Sequence, residues 1–333
     1  MRCLVVSQRE VPALLPMADC IEAMAGALRT LAAGDARLPL RPVIALPDGG
    51  GALAVMPAYL GGPPAIGLKA ITVFPGNHGT VLDSHQGAVL LFDAERGSLL
   101  AIVDASSVTA IRTAAVSAVA TRLLAREDAG DLALLGTGVQ AMSHLEAMAQ
   151  VRTLRRVRAF SRDPRNVQAL VRGAQARLGL RVEAASSARE AVLGADIVCA
   201  TTASRTPVLE GAWLSPGAHV NAVGASVKDA RELDTAAVAS ARLYVDRRES
   251  ALAEAGDFLI PKAEGAIGDD HIQAELGDVL LGARPGRRSR DEITLFKSLG
   301  LAVEDVAAAR VIYANAVAAG AGSWVELGGE RNE

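Results

Sequence analysis

The sequence predicts an α/β protein of two domains, one of them a doubly wound sheet, and three observations predict it. An apolar run, a glycine pair and a helical stretch follow one another in LALLGTGVQAMSHLEAM, residues 132–148. Strand-like and helical segments then alternate from residue 155 to residue 246, a pattern that implies a parallel sheet covered on both faces. The residues ahead of this unit carry closely spaced strand-like runs of their own, so they form a separate domain.

The 333 residues suffice for two cores. Hydrophobic residues make up 50% of the chain and aromatic ones only 3%, so those cores are built of Ala, Val and Leu. A net charge of −3 without a basic block argues against a nucleic-acid partner. Cys3, Cys20 and Cys199 show no metal-ligand spacing, and buried thiols in a reducing compartment are expected, with no metal. The opening MRCLVVSQREVPALL lacks the apolar core of a signal peptide. No apolar run approaches the ~20 residues of a membrane span. A cytoplasmic protein with no membrane partner is expected.

Along the chain, a helix is predicted around residues 19–33, followed by strands in PVIALP, GALAVMPAYL, AIGLKAITVFP and GAVLLFDAERGSLLAIVDA. In the last of these, AERG separates two apolar runs as a hairpin turn does, and the set makes an antiparallel sheet. Leu132 to Leu135 then reads as a buried strand and Gly136-Thr137-Gly138 as a tight turn. The helix from Val139 places Val139, Met142, Leu145 and Ala149 on one face. The pattern G-x-G-x-x-A is met by Gly136, Gly138 and Ala141. The first glycine permits the turn, the second lets a pyrophosphate reach the backbone, and the small third residue lets helix and strand pack closely. The helix N-terminus supplies positive charge.

RRVRAF (155–160) is the next strand, and Asp163-Pro164 caps a helix to about Leu178. LRVEAA is a strand, SARE (187–190) a capping box, and ADIVCATT, GAHVNAVG and ARLYVD are strands. GARPGRRSR (282–290) is an exposed loop. The helix at 303–320 reads as amphipathic, with no strand after it, and is expected to pack back on the first domain. The end of the second strand decides the cofactor. An acidic residue there binds a ribose hydroxyl, whereas an Arg receives a 2′-phosphate. Here Ser161 and Arg162 occupy the decisive places and Asp163 comes late, so NADPH is favoured and NADH possible.

GTGVQA, DASSVTAIRTAAVSAVAT, PGAHVNAVGAS, AELGDVLLG and FKSLGLAVED together resemble the ornithine cyclodeaminase/mu-crystallin family, nearly full length and in order. VMPAY, DSHQGAVLLFD and NAVGAS are similar to its ketimine-reductase branch. The resemblance implies a Rossmann domain inserted into a discontinuous α+β domain that binds substrate and forms a homodimer through its sheet. The expected boundaries are 1–117 plus 303–333 for the latter and 118–302 for the NAD(P)-binding domain. It also implies an α-amino or α-imino acid substrate. A carboxylate-bearing imine calls for Arg, and Arg41, Lys69 and Arg112 stand in apolar surroundings, where a charge is costly unless paired. All three match family positions that contact substrate. Lys69 and Arg112 are the candidate catalytic residues, and Lys69 is the candidate proton relay. Ser84, beside His85, matches a polar pocket position. Ser226 is also expected to bind substrate; it stands where cyclodeaminases carry an aspartate, and a hydroxyl is no carboxylate base near neutral pH but can still orient water or the nicotinamide amide. The expected cofactor-binding set is Gly136, Thr137, Gly138, Val139, Gln140, Ser161, Arg162, Thr202, Asn221, Val223 and Gly224. The expected activity is NAD(P)H-dependent reduction of cyclic or linear α-imino acids, reversible as an L-amino acid dehydrogenase. The alternatives are an ornithine or lysine cyclodeaminase and a ligand-binding protein without activity.

Overall fold

The computed structural model describes residues 2–77 and 79–329. The chain divides into two compact units, Met1–Arg112 with Leu301–Glu333, and Thr113–Gly300. The sequence reading puts the divisions a few residues later, at 117/118 and 302/303. The early boundary falls inside one unbroken helix, Ala105–Leu124, whose Ala/Val-rich run carries no residue that could mark it.

The first unit is built on an eight-stranded sheet. Its spatial order is Ser323–Glu326, Arg2–Val6, Leu99–Asp104, His85–Phe92, Ala65–Val73, Ala52–Leu60 and Ala36–Arg37, with Val43–Ala45 also on Ala52–Leu60. Neighbours are antiparallel except Arg2–Val6, which runs parallel to Leu99–Asp104. Pro57 lies within Ala52–Leu60, at the stretch between the residues that pair with Val43–Ala45 and those that pair with Ala36–Arg37. A residue without an N–H is tolerated at such an unpaired edge. The hairpin turn forms as expected: the Asp93 carboxylate accepts the Glu95 and Arg96 amides, and Gly97 takes a positive φ.

Helices Met17–Ala32 and Ala302–Ala319 pack together, the latter against four strands of the sheet. Two expectations are corrected here. The C-terminal helix does not show the expected amphipathic pattern: residues 302–309 are buried without interruption, because its first half is enclosed on all sides. A strand does follow it, Ser323–Glu326, pairing antiparallel with Arg2–Val6. Four exposed residues at a sheet edge give too short an alternation to be recognised. Helix and sheet come close at Gly67, where an added Cβ would lie 2.9 Å from Val306 Cγ2 and 2.7 Å from Leu90 O. On the face away from the helices, Ile66, Leu68, Leu90, Phe92, Leu100 and Ile102 remain partly exposed.

The second unit holds eight parallel strands in the order Glu183–Ala184, Arg156–Phe160, Asp131–Leu135, Ile197–Ala200, His219–Ala222, Thr294–Lys297, Arg242–Val245 and Ile272–Glu275. The strand order reverses beside Asp131–Leu135, the place where a doubly wound sheet binds its ligand. LRVEAA yields only a two-residue strand. Asp163 caps its helix by accepting the Arg165 amide, and Ser187 accepts that of Glu190. Glu190 reaches back to Ser186 rather than to Ser187. Helix Val139–Val151 buries Ala141, His144, Leu145, Ala147 and Met148, whereas Val139 is 65% exposed. This corrects the expected face. Both ring nitrogens of His144 find partners, Ser117 Oγ at 2.9 Å and Gln140 O at 2.7 Å, so a polar residue is buried where periodicity expects an apolar one. Within the exposed 282–290 loop, Arg287 is the exception, turned inward onto the carbonyls of Leu124, Gly217 and Ala218.

Candidate active site

In the first unit, Lys69 and Arg112 come together with two carboxylates that the sequence reading did not single out. Lys69 lies at the centre of strand Ala65–Val73, opposite Met56 on one side and Val89 on the other. Arg112 is two turns into helix Ala105–Leu124, whose start is capped by Asp104 accepting the Ser107 amide at 2.8 Å. Glu304 and Asp305 stand in the first turn of Ala302–Ala319, where the helix dipole favours negative charge. The close approach at Gly67 brings that turn within reach. Lys69 Nζ lies 2.9 Å from Asp305 Oδ1 and 2.8 Å from Oδ2, and donates also to Thr109 Oγ1 at 3.3 Å. Arg112 Nε donates to Asp305 Oδ1 at 2.9 Å and Nη1 to Glu304 Oε2 at 2.8 Å. All four groups are at most 3% exposed.

Two cations and two carboxylates balance, as charges this deeply buried must. Arg41, half-buried in the segment before strand Val43–Ala45, acts on the same group from outside the four. Burial brings the Lys69 ammonium down to about 8, Arg112 and Arg41 push it the same way, and Asp305 opposes them. An amine in that range can give up a proton near neutral pH and take it back. Glu304 and Asp305 were passed over because AVEDVAAA reads as a solvated helix start. The available signal was that Lys69 and Arg112 each needed a partner of opposite charge.

In the second unit, the glycine turn has the geometry a dinucleotide needs. Gly136 has φ +100°, and a Cβ there would lie 2.8 Å from Thr201 O, so glycine is required. Gly138 is the N-cap of helix Val139–Val151, makes no side-chain cap, and has open space where its Cβ would be. Thr137 and Gln140 are half-buried beside the exposed Gly138 and Val139. Backbone amides, a helix N-terminus and room for close approach fit a pyrophosphate. Arg162 is exposed at the end of strand Arg156–Phe160, Ser161 beside it is half-buried, and the Asp163 carboxylate is engaged in capping.

The remaining expected residues divide. Thr202 and Gly224 follow strands Ile197–Ala200 and His219–Ala222, and both bond the buried Glu232, which sequence reasoning missed. Its Oε1 accepts the Thr202 amide at 2.6 Å and hydroxyl at 2.7 Å, and its Oε2 accepts the Gly224 amide at 2.6 Å. Val223 donates its amide to Ala200 O at 2.9 Å. The Asn221 side chain is fully buried, bonding Thr121 Oγ1 at 3.0 Å and His219 at 3.3 Å. Ser226 is exposed, and the nearby Asp229 is paired with Arg205. Ser84 sits past the end of the hairpin, its carbonyl accepting the Phe74 amide. That is five residues along the strand from Lys69, roughly 16 Å, so the structure does not bring Ser84 to the charged cluster.

The family model of the ornithine cyclodeaminase/mu-crystallin family matches residues 1–320. The chain is 44% identical over 280 residues to ketimine reductase mu-crystallin of the mouse, Mus musculus, covering 84% of this chain and 85% of that one. Among solved structures it superposes on Thermococcus litoralis Δ1-pyrroline-2-carboxylate reductase, in complex with NADH and L-proline. The TM-score is 0.94 at 38% identity, over 96% of this chain and 99% of that one. An archaeal alanine dehydrogenase dimer with bound NAD superposes with a TM-score of 0.92 at 34% identity, over 98% and 99% of the two chains. With the paired Lys69 and Arg112 in one unit and the G-x-G-x-x-A turn in the other, these likenesses have one reading: this chain belongs to the ornithine cyclodeaminase/mu-crystallin family.

Proposed function

We propose that this protein is an NAD(P)H-dependent reductase of cyclic or linear α-imino acids, of the Δ1-pyrroline-2-carboxylate and Δ1-piperideine-2-carboxylate type, reversible as an L-amino acid dehydrogenase. The observation that carries the proposal is the buried Lys69–Arg112–Glu304–Asp305 cluster. Four charged groups hold one another out of water, with an ammonium poised near neutral pH. A bound dihydronicotinamide supplies the hydride, held through Gly136, Thr137, Gly138, Val139 and Gln140 at the pyrophosphate and through Thr202, Val223 and Gly224 further along. Arg112 and Arg41 attract the substrate carboxylate, Arg by virtue of its planar fork. Lys69 Nζ delivers the proton that the imine nitrogen gains and takes it back in the oxidative direction. Asp305 fixes Lys69 and Arg112 in one geometry by accepting from both.

Ser226 supports reduction over cyclodeamination, because that position offers no carboxylate to carry the several proton transfers of ring closure. NADPH is the preferred cofactor in this reading: Arg162 is exposed to receive a 2′-phosphate, while the neighbouring Asp163 carboxylate is occupied in capping. Arg162→Ala should raise KM for NADPH by roughly tenfold or more, the effect of losing a charge-assisted hydrogen bond, and leave that for NADH nearly unchanged. Equal losses for both would remove the phosphate role. The partly exposed apolar face around Leu68, Leu90 and Ile102 supports a homodimer formed by the first unit's sheet. Light scattering at micromolar concentration tests it, and a monomer would count against it. Soluble cytoplasmic localisation is part of the same proposal; among the described residues no helix is long and apolar enough to cross a membrane. A panel of cyclic and linear imino acids, each with NADPH and NADH, tests the activity. Oxidation of cofactor by at least one of them is expected, and none by any would overturn it.

A further inference from the structure

Glu232 is fully buried beside the loops that follow strands Ile197–Ala200 and His219–Ala222. It accepts three donors from two different loops: the Thr202 amide and hydroxyl, and the Gly224 amide. The loops meet so closely there that a Cβ on Gly224 would lie 2.0 Å from Thr202 O and 2.6 Å from Glu232 Oε1. Glu232 is itself fixed. Asp257 Oδ1 accepts its amide at 2.8 Å and that of Leu233 at 3.0 Å, and its carbonyl accepts from Val208 at 2.7 Å and Leu209 at 3.0 Å. Asp257 Oδ2 in turn pairs with Lys297 at 2.9 Å, and Lys297 donates to Ala222 O at 3.3 Å, at the end of the strand that leads to Gly224.

The two bridged loops leave adjacent strands, Ile197–Ala200 and His219–Ala222, on the far side of the strand-order reversal from Arg156–Phe160. In a doubly wound sheet the two halves of a dinucleotide lie on opposite sides of that point. Gly138 takes the pyrophosphate and Arg156–Phe160 leads to the adenosine, so the loops that Glu232 joins serve the nicotinamide half.

We infer that Glu232 is a positioning residue for the nicotinamide: by clamping Thr202 to Gly224 it sets the surface against which the ring rests. This rests on the nicotinamide reading above and adds a residue that acts through others. A carboxylate suits the place because all three partners are donors. In Glu232→Gln the new amide group must face one of them, donor against donor, and one loop is released.

The test compares NADH with ADP-ribose, which shares the adenosine and pyrophosphate but has no nicotinamide, by calorimetric titration of the full-length protein. In Glu232→Gln the Kd of NADH should rise at least tenfold while that of ADP-ribose stays within twofold. Thr202→Ala, which removes one of the three bonds and leaves the backbone amides in place, should show the same selective loss at a few-fold, and it carries the test if the first variant does not fold. Thr202→Ser, which keeps the hydroxyl, should restore the wild-type ratio. Parallel weakening of both ligands, or weakening of neither, in the variants would overturn the positioning role. A wild-type protein that binds neither ligand would instead overturn the cofactor reading beneath it.

Discussion

Each unit buries a cluster of charges, and the two clusters are bonded in different ways. In the first, side chain holds side chain: Lys69 and Arg112 donate to Asp305, and Arg112 also to Glu304. In the second, side chain holds backbone: Glu232 takes the amides of Thr202 and Gly224, and Asp257 those of Glu232 and Leu233. Lys297 pairs there with Asp257. Burial and the neighbouring Asp257 push the Glu232 carboxyl upward, against the opposing pull of Lys297 and of the Thr202 hydroxyl and amide. A carboxyl group bonded to loop amides sets the path of those loops. Charges bonded through their side chains to one another keep an adjustable balance, and one of them, Lys69, sits near 8. In the proposed reading, chemistry falls to the first cluster and shape to the second.

The largest effect that would test this contrast is at Arg112. Arg112→Ala leaves Glu304 and Asp305 buried with Lys69 alone to offset them, which should cost about 3–5 kcal/mol of folding stability. It should also cost roughly 2–5 kcal/mol of transition-state stabilisation in kcat/KM. Denaturant titration and steady-state kinetics measure the two, and a folded variant with near wild-type kcat/KM would remove Arg112 from the site.

Next comes the proton on Lys69. The reductive reaction needs the ammonium, so kcat should be level below pH 8 and fall about tenfold per unit above it; the oxidative reaction needs the free amine and should rise toward pH 8. Asp305→Asn removes the charge that opposes the lowering, so the break should move to lower pH. A profile with no break, or one that moves upward, would contradict the proton role. Nothing in the second cluster should produce that signature.

How much of this was legible in the sequence follows from the same contrast. The second unit announces itself locally: Gly136, Gly138 and Ala141 lie within six residues and carry their reason with them. The first cluster is assembled across the whole chain, with Lys69 and Asp305 separated by 236 positions. Arg112 and Lys69 could be suspected because a charge in an apolar run needs a partner, but nothing in the spacing says that the partner is Asp305. Glu232 was hidden for a like reason, in a polar loop segment, VKDARELD, that resembles solvated surface. His144 and His219 were hidden because burial of a polar side chain depends on bonds that only the fold supplies.

Those two histidines give a smaller test, outside both clusters. Burial pushes His144 down to about 4 and His219 to about 3, against 6.5 when unfolded. The unfolded chain therefore binds protons first as pH falls below 6.5. Stability should decline from there toward pH 4 and 3 by about 1.4 kcal/mol per pH unit for each histidine. Urea titrations between pH 7 and 5 would show it, and a flat profile would mean that the histidines are not buried neutral. The smallest effect belongs to Ser226, an exposed hydroxyl in neither cluster. Ser226→Ala should change kcat/KM by less than about 0.5 kcal/mol, as surface substitutions do.

The central claim is that the first cluster reduces a ready-made imine. It is tested most directly by incubating the protein with Δ1-piperideine-2-carboxylate or Δ1-pyrroline-2-carboxylate, and separately with L-ornithine, while following NAD(P)H and ammonia together. The account predicts one NAD(P)H oxidised for each cyclic imino acid consumed and no ammonia from ornithine. Ammonia and proline formed from ornithine with only catalytic NAD would contradict it.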